Sequence, residues 1–76
     1  MNKQRRKAIE QIEDAISELR NSLEEIRDKE QEAYDNLPEN LQYSERGEAM
    51  ENAISLLEDA ISELEAAEEN LSEARE

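Results

Sequence analysis

The sequence predicts an all-α fold: an antiparallel two-helix hairpin, coiled-coil-like, that dimerises into a four-helix bundle. Three observations predict it. Large apolar residues recur every three or four positions in two long runs, the sole proline and the sole glycine lie between those runs, and one run largely repeats the other.

The first arm is expected over about 3–36. Ile9, Ile12, Ile16, Leu19, Leu23 and Ile26 follow a 3-4-3-4-3 spacing that keeps one seam on one side of a helix. With Ile9, Ile16 and Leu23 as heptad position a, Ile12, Leu19 and Ile26 are d, and the small residues Ala8, Ala15 and Ser22 are g. The seam thins at Glu30 (a) and Ala33 (d).

The hinge is expected over about 37–43. Pro38 disfavours helical backbone at Leu37 and has no N–H to donate, so the first arm ends there. Proline also suits a first helical position, so Pro38-Glu39-Asn40-Leu41 is compatible with one short turn. Tyr34, Leu37, Leu41 and Tyr43 are expected to cap the end of the core. Gly47 is read as steric relief, either for Tyr34 or for the hinge backbone.

The second arm is expected over about 44–75. Ser44 is the natural N-cap, and Glu45 and Glu48 suit the positive end of the helix dipole. Met50, Leu57, Leu64 and Leu71 are spaced by sevens, with Ile54 and Ile61 among them and Ala53, Ala60, Ala67 and Ala74 alongside. Glu13-Asp14-Ala15-Ile16-Ser17-Glu18-Leu19 recurs unchanged as Glu58-Asp59-Ala60-Ile61-Ser62-Glu63-Leu64, an offset of 45. Both arms are therefore copies of one module in one frame. A symmetric hinge would set residue i opposite roughly residue 80 − i, a pairing rule in which Ile16 meets Leu64, Leu23 meets Leu57, Ile26 meets Ile54 and Ala33 falls beside Gly47. The three-residue-wide stripe leaves one side of each arm in water, which is why a homodimer is expected.

Composition bounds the function. Charged residues are 41% of the 76 and the net charge is −13, a balance that repels polyanions and argues against direct nucleic-acid binding. No cysteine or histidine is present, so thiolate chemistry and the Glu-x-x-His sites of di-iron bundles are ruled out. No enzyme, cofactor or metal is expected. The polar, basic N-terminus is followed by no apolar run, so neither a membrane span nor a signal peptide is read, and a soluble, cytoplasmic protein is expected.

The charges are unevenly placed. Lys3, Arg5, Arg6 and Lys7 form a basic head, whereas residues 44–76 carry eleven acids against Arg46 and Arg75, a net of −9. Antiparallel arms are expected to bring the basic head beside Glu69, Glu73 and Glu76. Most carboxylates read as solvated surface, but Glu30 and Glu68 fall on the seam. Three readings are open for them: snorkelling, pairing with Arg46 and Lys7 respectively, or fixing register. Two features are candidates for partner contact. Leu56 stands off the seam on an otherwise polar face, and Glu58, Asp59, Glu63, Glu65, Glu69 and Glu73 form a dense negative face that attracts basic surfaces.

The segment Asp35-Asn36-Leu37-Pro38-Glu39-Asn40-Leu41-Gln42-Tyr43-Ser44-Glu45-Arg46-Gly47-Glu48-Ala49-Met50 resembles the hinge of short, acidic, functionally uncharacterised proteins of phages and mobile elements of Gram-positive bacteria. Their pattern is DNLPE-x-LQ-x-SERGE-x-M between two Glu-rich helical arms. The resemblance implies an origin and no activity. By analogy with small acidic proteins of such elements, the expected role is a non-enzymatic inhibitor that presents its acidic helix to a basic, nucleic-acid-binding host protein; the alternative is a structural adaptor that self-associates through the Ile/Leu/Ala seam.

Overall fold

A computed structural model describes all residues, 1–76, as an all-helical chain with no strand. Helix α1 spans Lys3–Asp35, α2 is a single turn over Glu39–Gln42, and α3 spans Glu45–Ala74. The long helices run antiparallel in a rod 58 Å in length and 14 by 12 Å across.

Local chemistry sets each boundary. The Asn2 side chain accepts a hydrogen bond from the Arg5 amide at 2.8 Å and starts α1. Asn36 closes the helix with its N–H on the carbonyls of Glu32 and Tyr34. The Pro38 carbonyl then accepts from the amides of Leu41 (2.8 Å) and Gln42 (3.2 Å), which makes α2. Ser44 begins α3: its Oγ accepts from the Gly47 amide at 3.4 Å and donates to the Leu41 carbonyl. Gln42 ties the turn together, because its side-chain amide donates to the carbonyls of Tyr34 (3.2 Å) and Leu37 (3.3 Å).

The register differs from the symmetric expectation. Side chains that meet across the helices have residue numbers adding to 85 (Arg20 with Glu65, Arg75 with Glu10, Tyr34 with Glu51) or 88 (Arg20 with Glu68, Arg75 with Glu13). The pairs anticipated for a sum of 80, Ile16 with Leu64 and Ile26 with Ile54, are therefore displaced by about two helical turns. The cause is α2. It folds back against the start of α3, so the first turns of α3 face the hinge and α1 meets α3 only from about Glu51 onward.

Gly47 makes that fold-back possible. It is buried, and a Cβ built there would stand 2.1 Å from the Gln42 carbonyl oxygen and 2.7 Å from that of Leu41. The steric relief is for the hinge backbone, not for Tyr34. The aromatic cap is only partly formed: Tyr34 and Leu37 are half-buried, whereas Tyr43 is 77% exposed and Leu41 also faces solvent. Ala33 is exposed rather than packed on Gly47.

The hairpin has little core of its own. Ile54 and Ile61 are its only buried apolar side chains. The two arms, though copies in sequence, do not present the same face. Helix α3 buries its a residues Gly47, Ile54 and Ile61 and half-covers Glu68 and most of its d and g residues, whereas α1 half-covers a and e: Ile9, Ile16 and Leu23 together with Glu13, Arg20, Arg27 and Tyr34. Three of these e side chains, Glu13, Arg20 and Tyr34, make polar contacts with α3 or its C-cap, and this rotation leaves the α1 d residues in water.

Candidate functional site

The rotation of α1 gives the rod two unlike flanks. On a right-handed helix, e lies to one side of a, and d and g to the other. In an antiparallel pair the like flanks come to the same side, so one edge of the hairpin is lined by e residues and the opposite edge by d and g residues.

The e edge is held by ion pairs. Arg20 bridges Glu24 (3.1 Å) on its own helix and Glu68 (3.1 Å) and Glu65 (3.8 Å) on α3. Partial burial works against the Arg20 charge, but Glu68 and Glu24 outweigh it and its pKa goes up. Arg75, from the end of α3, reaches back to Glu13 (2.5 Å) and Glu10 (3.4 Å), and its pKa rises chiefly through the Glu13 hydrogen bond. Near the hinge the Tyr34 hydroxyl donates to Glu51. That bond, with desolvation and the Glu51 charge behind it, pushes the phenol up to about 12.

Glu68 thus pairs with Arg20, not with Lys7, and one of its oxygens, Oε1, is buried without a partner. Glu30 is half-buried at the interface and makes no ion pair with Arg46, which is exposed. The basic head is corrected as well. Lys3, Arg5, Arg6 and Lys7 are exposed and make no ion pair, and neither do Glu69, Glu73 and Glu76. The register explains this: Glu76 stands level with residues 9–12, so the first two turns of α1 project past the end of α3.

The d/g edge is apolar and open. Ile12, Leu19 and Ile26 are 51, 60 and 53% exposed, with Ala8, Ala15 and Ser22 beside them. Across the groove Leu57, Leu64 and Leu71 are half-covered, as are Ala53, Ala60 and Ala67. Leu56, 59% exposed, takes on a new meaning here. It sits three residues from Ala53 and four from Ala60, so it extends this edge instead of standing alone on a polar face.

The acidic candidates occupy the remaining surface. Glu58, Asp59, Glu63, Glu65, Glu69 and Glu73 are all exposed around the outward side of α3, and only Glu65 touches a cation. A notch of about 290 Å³ between Glu10, Glu13, Asp14 and Arg75 is wholly charged in its lining and open to water. No group of acids is arranged to hold a metal ion, and no helix is long and apolar enough to cross a membrane.

Sequence reasoning passed over Arg20, Glu13, Glu51 and Gln42. A signal for the first was present: within the repeat, Arg20 stands where the second copy has Glu65, and these two counterparts of opposite charge meet across the interface. The geometry defines an antiparallel helical pair with one ion-paired and one open apolar edge. Comparison with known proteins adds nothing to that description: no family model, no curated protein and no solved structure matches the chain.

Proposed function

We propose that this hairpin is half of a four-helix bundle: a non-enzymatic, self-associating module whose open d/g edge packs against a second copy. One observation carries the reading. Ile12, Leu19 and Ile26 stand more than half exposed in a single row, while only Ile54 and Ile61 are buried. Covering the exposed part of each such side chain contributes on the order of 1 kcal/mol, so the row supplies what the thin core lacks. Light scattering after gel filtration tests it. The expected result is a dimer that Leu19→Glu converts to a monomer of lower Tm; a wild-type monomer at high concentration would remove the reading.

The outward acids favour a second role on the same scaffold. Because Glu58, Asp59, Glu65, Glu69 and Glu73 lie away from the d/g edge, association through that edge leaves them displayed, and a basic protein is the partner they suit. An origin in a mobile element, suggested by the hinge motif, fits that role, in which the acidic face occupies a basic host protein's nucleic-acid groove. Titration against basic nucleic-acid-binding proteins tests it: binding must weaken with salt and with Glu69→Lys/Glu73→Lys, and binding indifferent to both counts against it.

A further inference from the structure

We propose that the second copy lies with its hinge at the opposite end, so that the basic head of each chain rests against the acidic hinge of the other. The inference depends on the self-association reading and adds the orientation. Two ways of pairing the open edges by a two-fold axis differ in which ends meet. With hinges together, the four unpaired cations of one head, Lys3, Arg5, Arg6 and Lys7, would stand beside the same four of its partner. With hinges apart, each head meets the region from residue 30 to residue 51, which has seven acids and a single cation, Arg46.

The register makes this complementarity available. Because the head projects beyond the end of α3, its charges are not used within the hairpin. At the other end Asp35, Glu39, Glu45 and Glu48 are exposed and free of ion pairs. Of the rims bordering the open edge, that of α3 has one acid, Glu63, beside Ala49, Leu56 and Asn70, whereas that of α1 carries Glu18, Glu25 and Glu32, a repulsion that the attraction at the ends must outweigh. Orientation is therefore chosen by the ends, while the apolar row supplies the adhesion.

Disulfide trapping tests this directly, since the chain has no cysteine of its own. Gln4→Cys marks the head and Asn40→Cys the hinge, both at exposed sites. They lie at opposite ends of a 58 Å rod, too far apart to close within one chain. When the two single variants are mixed and oxidised, the expected product is the mixed Gln4→Cys/Asn40→Cys dimer, ahead of either homodimer. Homodimers crosslinked head to head and hinge to hinge would overturn the orientation while leaving self-association intact. A chain that stays monomeric would overturn both. Reversing the head with Lys3→Glu/Arg5→Glu/Arg6→Glu is expected to weaken dimerisation about tenfold or more at low salt, with the difference shrinking at high salt. An unchanged or tighter dimer would refute the head-to-hinge contact.

Discussion

Replacing Gly47 by alanine isolates the feature that sets the register. In an ordinary helix the change would be favourable by about 1 kcal/mol, because alanine loses less backbone freedom than glycine. Here the added methyl would meet the Gln42 carbonyl oxygen at 2.1 Å and its carbon at 2.5 Å. Both are backbone atoms, so no side-chain rotation relieves the overlap. The α2 turn must lift from α3, straining the Gln42 hydrogen bonds to Tyr34 and Leu37. Overpacking of this kind costs about 1–3 kcal/mol, and a clash with backbone belongs at the upper end. The net expectation is a loss of about 2 kcal/mol, or a Tm lowered by roughly 10–15 °C for a chain of this size. Circular dichroism melts at several protein concentrations measure it, with Asn52→Ala as an exposed control on the same helix. A Tm equal to or above wild type would show that the hinge does not hold α2 against α3, and the explanation of the register would fail.

Three further outcomes follow from the polar contacts. Ser44→Ala removes the α3 cap and should cost about 1 kcal/mol, read as a lower urea midpoint at unchanged slope; no change would mean that the Gly47 amide is satisfied by water. Glu68→Leu should raise Tm, since it replaces a partly buried carboxylate with an unpartnered oxygen by an apolar seam residue, whereas Arg20→Ala should lower it by leaving Glu68 unpaired. The double variant should recover the loss, and additive effects would deny the coupling. Finally, the fold favours the neutral Tyr34 phenol, whose pKa is pushed from 10.0 to about 12 by the Glu51 hydrogen bond. The stability it contributes is complete below pH 10 and is lost as pH rises through 12. In a Tyr43→Phe background, tyrosinate absorbance should report this titration, and Glu51→Gln should lower the midpoint; an unmoved midpoint would exclude the bond.

The helical class and the long helix pair were legible because the 3-4 spacing of Ile9 through Ile26 admits no strand reading. Register was not, for a specific reason. The spacing locates the hinge but carries no information about whether Glu39–Gln42 stands apart from α3 or folds onto it, and that choice moves every cross-helix pair by about two turns. The rotation of α1 was hidden by the repeat itself. Matching a, d and g patterns suggest matching faces, yet the departures from identity decide the matter. Arg20 replaces a glutamate and Leu23 stands where the second copy has Glu68, and it is Arg20 and Glu68 that bond across the pair. Differences between the copies told more about packing than their likeness did. For the candidate site, the acids of α3 could be placed on its surface from the sequence, but Leu56 gained its neighbours only once the open edge was known.

The charges at the start of α1 remain to be accounted for in the hairpin alone. Its first turn holds cations and no acid, and its last turn holds no base, so both ends oppose the helix dipole. In α3 the opposite holds at the N-terminus, where Glu45 and Glu48 complement it. A chain shaped only for hairpin stability would put acids at Lys3 and Arg5 too. Places where local rules are broken without compensation nearby tend to serve contacts beyond the chain. The same reversal, Lys3→Glu/Arg5→Glu/Arg6→Glu, should therefore act in two directions: higher helicity at the α1 N-terminus of the dilute monomer, seen by amide hydrogen exchange, and weaker association of the dimer. If exchange slows and association tightens together, the basic head is not held for a partner, and its position past the end of α3 has no role in assembly.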